Sequence, residues 1–270
     1  MTKDRTALVR SQFGVAASDY ATSDVHAKGE SLARIVELAA PQQNWLVLDV
    51  ATGAGHMAAA FAPHVAKVTA SDITDEMLAE AAKLAASRQL GNVETAKAEA
   101  GALPFADKTF DLVCCRLAAH HFPDLPRFVA EAARVLKDQG RFALVDNVAP
   151  DAKQLPDASE TERNDAVAAY NAFEKLRDPS HGFAPPPETW IDVLQAAGFK
   201  IVAREQFGKE LDFESWVTRM RCAPGTVREL DRILTSGLEN LRTFLAPRRD
   251  ENDALYFTLQ ELLLVADKIG

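Results

Sequence analysis

Apolar and polar positions fall into alternating blocks along this chain. Strand candidates occur at Trp45–Ala51, Ala66–Asp72, Asn92–Lys97, Phe110–Arg116 and Arg141–Asn147, and the first and fourth of them are nearly continuous apolar runs. Runs of that length and continuity are expected of strands buried on both faces. Between them, apolar residues recur at three- and four-residue spacing, which predicts helices near His56–Ala62, Asp75–Arg88, Leu125–Lys137 and Thr161–Leu176. Gly91, Gly140 and the Asp107–Thr109 stretch separate these blocks. Further on, Pro185-Pro186-Pro187 breaks the chain before a helix near Glu188–Ala197, Gly198 closes that helix, and Phe199–Phe207 reads as a strand. LDFESWVTRM through LRTFLAPRRD reads as a helical insertion, and Leu259–Lys268 is a last apolar run. Upstream, residues 1–40 read as helical, with Leu32, Ile35, Val36 and Leu38 near helical spacing and Pro41 as the stop. Strand and helix alternating at this pitch predict a doubly wound α/β sheet. The expected division is an N-terminal helical lid (1–40), a Rossmann-like core (41–207), a helical cap (208–253) and a final core strand (254–270).

Composition narrows the partners. The chain has 270 residues, 47% of them hydrophobic, enough to bury a sizeable core. A net charge of −9 argues against a general nucleic-acid or anionic-membrane partner. No apolar stretch approaches the ~18 residues of a membrane span, and MTKDRTALVRSQFG has no apolar signal core. Cys114 and Cys115 are adjacent and Cys222 is isolated, so neither a disulfide framework nor a zinc spacing is present. The expectation is a cytoplasmic, reduced protein without membrane insertion or metal, acting on a small molecule, with a homodimer compatible with the sequence.

The chemistry concentrates where the first two apolar runs end. LVLDVATGAGHM stops at Asp49 and turns through Gly53-Ala54-Gly55; VTASDIT stops at Asp72. In an open parallel sheet, ligands lie beyond the carboxyl ends of the strands. Glycines there let the backbone approach a ligand, and an acid at the second strand end can accept hydrogen bonds from a ribose diol. Gly53, Gly55 and Ala58 also satisfy the G-x-G-x-x-G/A pattern, so a nicotinamide dinucleotide has to be weighed. Asp49 opposes it, because a carboxylate beside the loop would repel a pyrophosphate. A ligand carrying an ammonium and a sulfonium suits it: S-adenosylmethionine.

These segments resemble the class I S-adenosylmethionine-dependent methyltransferases of the ubiquinone/menaquinone-biosynthesis-like branch (methyltransferase type 11). LDVATGAGHMA is similar to their first motif and VTASDIT to their second. KAEAGALPFADKTFDLVCCR resembles a stretch often reading G-D-A-x-x-L-P-F-x-D-x-S-F-D, and EAARVLKDQGRFALVD resembles the helix and strand that follow it. The likeness covers about residues 10–150 and, through WIDVLQAAGFKIV, extends to about 203. It implies a seven-stranded sheet of order 3-2-1-4-5-7-6 with the last strand antiparallel. The cofactor set it implies is Asp49, Ala51, Gly53, Gly55, Asp72, Ile73, Met77, Glu99, Ala100 and Arg116. Asp72 would hold the ribose, Ile73 would pack on the adenine, and Glu99 stands where the family usually has Asp. Asp138-Gln139-Gly140 replaces the usual Pro-Gly-Gly.

Methyl transfer to an unprotonated nucleophile needs only positioning and desolvation; a base is required when the acceptor carries a proton of high pKa. RLAAHHF, Arg116–Phe122, follows the fourth strand at the ligand edge, so His121 or His120 is the candidate base for a phenol, enol or thiol. Tyr20 and His181 are candidates on the substrate side. The 208–253 insertion could supply an apolar wall through Trp216, Met220, Leu230, Ile233, Leu234, Leu238, Leu241 and Phe244. A solvated helical face accounts for most of its arginines. No Asn/Asp-Pro-Pro-Tyr motif follows strand four, which disfavours methylation of amide or nucleobase nitrogen. Transfer to oxygen or carbon of a small molecule is the leading function. A protein that binds S-adenosylmethionine without transferring methyl, and a nicotinamide-dependent oxidoreductase, are the alternatives.

Overall fold

The computed structural model describes Leu8 and residues 30–270. The chain divides into two compact units. Of the described residues, the first contains those up to Asp146, Ile191–Glu205 and Leu263–Gly270; the second contains Asn147–Trp190 and Gln206–Leu262. Residues 147–190, read from the sequence as part of the core, thus group with 206–262. Most of the expected N-terminal lid lies outside the described residues; its last part is helix α1 (Glu30–Ala39).

Eight strands form one sheet among the described residues: β1 (Leu46–Val50), β2 (Lys67–Asp72), β3 (Val93–Lys97), β4 (Phe110–Arg116), β5 (Leu136–Asn147), β6 (Phe199–Asp212), β7 (Arg248–Arg249) and β8 (Leu255–Lys268). Their order is β3-β2-β1-β4-β5-β8-β6, and the two-residue β7 pairs with β8. Counted over the seven long strands, this is the expected order, parallel through β3-β2-β1-β4-β5 and with an antiparallel C-terminal strand. The centre is apolar on both faces: Val47, Leu48, Val68, Ala70, Leu112 and Val113 are buried. Helices must therefore cover both sides.

The helices of the first unit follow from spacing and caps. After α2 (His56–Phe61) and α3 (Asp75–Ser87) comes α4 (Leu125–Val135). In α4, Asp124 caps the N-terminus by accepting the Arg127 N–H, and Phe128, Val129, Ala132 and Val135 form the buried stripe. That helix ends before the expected Lys137, because Leu136 already pairs with Phe110 as the first residue of β5. Gln139, in the place of a family glycine, takes a left-handed φ of 62°.

The second unit holds α5 (Glu160–Arg177), α7 (Phe213–Arg219), α8 (Pro224–Ser236) and α9 (Glu239–Leu245), while α6 (Pro187–Ala196) spans the boundary. Strand β6 runs on to Asp212, so residues 208–212 are strand and not helical insertion. Gly208 does not break the strand; a Cβ there would come within 2.7 Å of the Thr258 side-chain methyl on β8, which would have to shift to admit it. Trp216, Leu230, Leu234, Leu241 and Phe244 join Tyr170, Phe173 and Phe257 in this unit's own core, with Ile233 packed against it. Six of the eight residues expected to form a substrate wall thus belong to that core or pack against it; Met220 is buried outside it and Leu238 is exposed. The arginines Arg232, Arg248 and Arg249 pair at the surface with Glu229, Glu210 and Asp231.

Candidate active site

Strand order reverses at β1, which has β2 on one side and β4 on the other, and a cavity opens beyond the carboxyl ends of these strands. It is lined from β1 and its loop by Asp49, Ala51, Thr52, Gly53, Ala54, His56 and Met57. The end of β2 and the start of α3 contribute Asp72, Ile73, Thr74 and Met77, and the loop after β3 contributes Ala98, Glu99, Ala100 and Gly101. The end of β4 and the turn after it contribute Arg116, Leu117, Ala118, His121, Phe122 and Pro123. Among the described residues, no helix is long and apolar enough to cross a membrane, and no group of side chains is arranged to hold a metal ion.

The two acids do different work. Asp49 is buried, and its Oδ2 accepts the Thr52 hydroxyl at 2.5 Å and the Ala58 N–H at 3.0 Å, while the Cys114 thiol donates to Oδ1 at 3.8 Å. It therefore ties the glycine loop to the first turn of α2. Burial pushes its carboxyl up to about 7, against the opposing pull of Thr52, Ala58 and Cys114, with the nearby Asp72 charge adding to the rise. Asp72 accepts from the Gly53 N–H at 3.0 Å through Oδ2, and from the Thr74 N–H and hydroxyl at 2.9 and 2.8 Å through Oδ1. Each carboxylate oxygen can accept two hydrogen bonds, so Oδ2 keeps capacity for a ligand hydroxyl.

The two glycines also separate. Gly53 (φ 54°) has nothing within 4 Å of where a Cβ would stand, leaving space for a ligand against bare backbone. Gly55 does not line the cavity. At φ 86° its missing Cβ would collide with the Cα and Cβ of Ala81 at 2.9 Å, so Gly55 serves the packing of the loop on α3. Left-handed strain and overpacking together predict that Gly55→Ala costs about 2–4 kcal/mol. Thermal melting should register this as a drop of roughly 5–15 °C; an unchanged melting temperature would refute the packing role.

At the end of β4, Leu117 takes a left-handed φ of 52° and donates its N–H to Val145 O at 2.7 Å. Few bulky residues adopt that conformation. A 3-10 turn (Ala119–His121) follows. It places His121, buried, on the cavity wall, whereas His120 does not line the cavity and has Nδ1 2.6 Å from Asp146 Oδ1.

The chain is similar to known proteins in sequence and fold. Residues 48–144 match the family described as "Methyltransferase domain". A curated relative named "Uncharacterized methyltransferase YcgJ", from Bacillus subtilis, is 31% identical over 93% of this chain and 96% of its own length. The chain belongs to the class I S-adenosylmethionine-dependent methyltransferases. A crystal structure of a methyltransferase from Bacillus halodurans superposes with a TM-score of 0.81 at 36% identity, covering 90% of this chain and all of that one. The ubiquinone/menaquinone biosynthesis C-methyltransferase UbiE of Paracoccus denitrificans is 33% identical over 53% of this chain and 60% of its own. Membership decides against the nicotinamide alternative: the cofactor of this methyltransferase is S-adenosylmethionine.

The chain's own residues fit that cofactor. An open backbone at Gly53, a ribose-type acceptor at Asp72, and Ile73 and Met77 as apolar walls occupy one continuous surface. Of the residues expected to hold it, only Gly55 is absent from the lining. Tyr20 lies outside the described residues. His181 sits in the second unit, 3% exposed, with Nε2 2.9 Å from Asn171 Oδ1, and does not line the cavity. The sequence reading missed Thr52 and Thr74, which hold the two carboxylates, and Leu117 and Phe122, which complete the wall. An Asp-x-x-Thr or Asp-x-Thr spacing at a strand end was the available signal. For the methyltransferase, Asp72→Ala should weaken cofactor binding by about 1–3 kcal/mol, roughly five- to 150-fold in Kd. Calorimetry returning an unchanged Kd would leave Asp72 with the loop alone.

Proposed function

We propose that this methyltransferase methylates a small molecule at oxygen or carbon, with His121 as the general base. The observation that carries the reading is a buried imidazole on the wall of the cavity that also presents Asp72 and the bare Gly53 backbone. On binding, S-adenosylmethionine supplies an activated methyl on a sulfonium. His121 takes the proton from the acceptor O–H or C–H. S-adenosylmethionine, held by Asp72 and the Gly53 backbone, would supply its methyl to the electron pair left behind and keep the methyl–sulfur electrons as the neutral homocysteine product. The proton then passes from His121 to water. Phe122 and Leu117 exclude water from that edge, which strengthens the electrostatics of the step. Relatives named as C-methyltransferases support carbon as one acceptor, and the net charge of −9 supports a small molecule over nucleic acid. Incubation with methyl-labelled cofactor and a panel of phenols, quinols, carbon acids, carboxylic acids and thiols tests this. Label should enter a phenol, quinol or carbon acid; transfer only to a carboxylate would overturn the role of the base, and transfer only to a thiol would overturn the oxygen-or-carbon reading.

A further inference from the structure

The C-terminal end of β5 carries a carboxylate, Asp146, that does not line the cavity. Asp146 is fully buried, and both its oxygens face the turn after β4. Oδ2 accepts the backbone N–H of His120 at 2.9 Å, and Oδ1 lies 2.6 Å from Nδ1 of the same residue. Burying a carboxylate costs several kcal/mol unless charged or hydrogen-bonded partners offset it. Capping one backbone N–H does not require that expense, since a neutral asparagine oxygen would serve. The ring contact is the part a cap does not need. It is short enough for a charge-assisted bond; with the carboxylate ionised, the hydrogen lies on Nδ1, and the contact holds both the tautomer and the plane of His120. The His120 ring then rests against that of His121, with centroids 4.2 Å apart at an interplanar angle of 47°. Of these three residues only His121 lines the cavity. The contacts thus run from buried carboxylate to imidazole to imidazole to cavity.

We propose that Asp146 is a positioning residue for methyl transfer: through His120 it sets the turn and the ring surface that present His121 to the acceptor. This rests on the reading of His121 as the base. A base misplaced by an ångström loses much of its effect, and a side chain on a short turn is held in place only if the groups behind it are locked. The contact ties the turn that follows β4 to the end of the neighbouring strand β5, so the turn is anchored to the sheet.

The test uses the full chain loaded with S-adenosylhomocysteine and carrying ring-labelled histidine. Asp146→Asn keeps an acceptor for the backbone N–H but removes the charge. The His120 ring resonance should show a protonated Nδ1 in the wild type that is lost in the variant. The His121 resonance should move as well, with the Kd for S-adenosylhomocysteine within about threefold and the melting temperature within a few degrees. A His121 resonance that coincides in the two proteins overturns the proposal, whatever the acceptor. With the panel phenol or quinol that turns over fastest, Asp146→Asn should lower kcat about 10–100-fold at unchanged KM for the cofactor. Combining it with His120→Ala should cost no more than the worse single change, as for residues acting as a unit. Multiplying effects, or a kcat loss that only tracks a loss of cofactor affinity, would make Asp146 a purely structural cap. His121→Ala separates the two readings. If it keeps full turnover, the base assignment fails; if it is inactive while Asp146→Asn is normal, the present inference fails alone.

Discussion

Affinity for S-adenosylmethionine is expected to rise with pH up to about 7 and then level off, and Asp49→Asn is expected to abolish that dependence. Burial raises the Asp49 carboxyl from its ordinary value to about 7. Below that pH the resting site therefore holds a neutral acid. The bound cofactor brings an ammonium and a sulfonium to the cavity that Asp49 lines, and a cation nearby favours the ionised form. Binding thus releases a proton, and each pH unit below 7 costs up to about tenfold in affinity, or about 1.4 kcal/mol. From pH 7 down to pH 5 the weakening should approach about a hundredfold. The sign for folding is the opposite. A carboxyl whose folded pKa lies above its unfolded value stabilises the cofactor-free protein most below about pH 4, and that contribution is lost as pH rises to about 7. Asp49→Asn keeps an oxygen for the Thr52 hydroxyl and the Ala58 N–H, so the loop should survive while both slopes vanish. Titration calorimetry at three pH values in two buffers of different ionisation enthalpy measures the proton directly; no proton release at pH 6 would mean that the Asp49 charge does not meet the cofactor.

Much of this architecture can be read from the chain because its signals are local. Strand-length patterns, glycine turns and acids at strand ends place β1–β4 to within a residue at either end, and nine of the ten cofactor residues implied by the family resemblance line the cavity. What escaped depends on distant pairing. The early start of β5 at Leu136 reflects its ladder with Phe110, which no local pattern announces. The run of β6 to Asp212 depends on β8 as a neighbour, and there Gly208, a breaker by local rules, sits close against Thr258. Gly55 shows the same limit within the site. Its place in a glycine pattern suggested a ligand contact, yet the constraint comes from Ala81 on another helix. The two adjacent histidines were indistinguishable in sequence. They part only because β5 brings Asp146 behind one of them, a contact between residues far apart in the chain.

The largest kinetic effect is expected at His121. Its imidazole is buried on the cavity wall, on the turn that leaves β4 beside Arg116 and Phe122, and a general base typically contributes about 10²–10⁴-fold. His121→Ala should therefore lower turnover of a phenol, quinol or carbon acid by that factor. The cofactor loop, Asp72 and the Gly53 backbone are untouched by the change, so cofactor affinity should stay within about threefold. The loss should also depend on the acceptor. An acceptor already ionised at the assay pH offers no proton to remove, and for it the variant should approach the wild type. Comparing an acidic phenol with a weakly acidic one at a single pH reads this directly. Equal losses on both would show that His121 shapes the cavity without accepting a proton, and equal retention on both would leave proximity and desolvation to supply the rate, since those terms need no base.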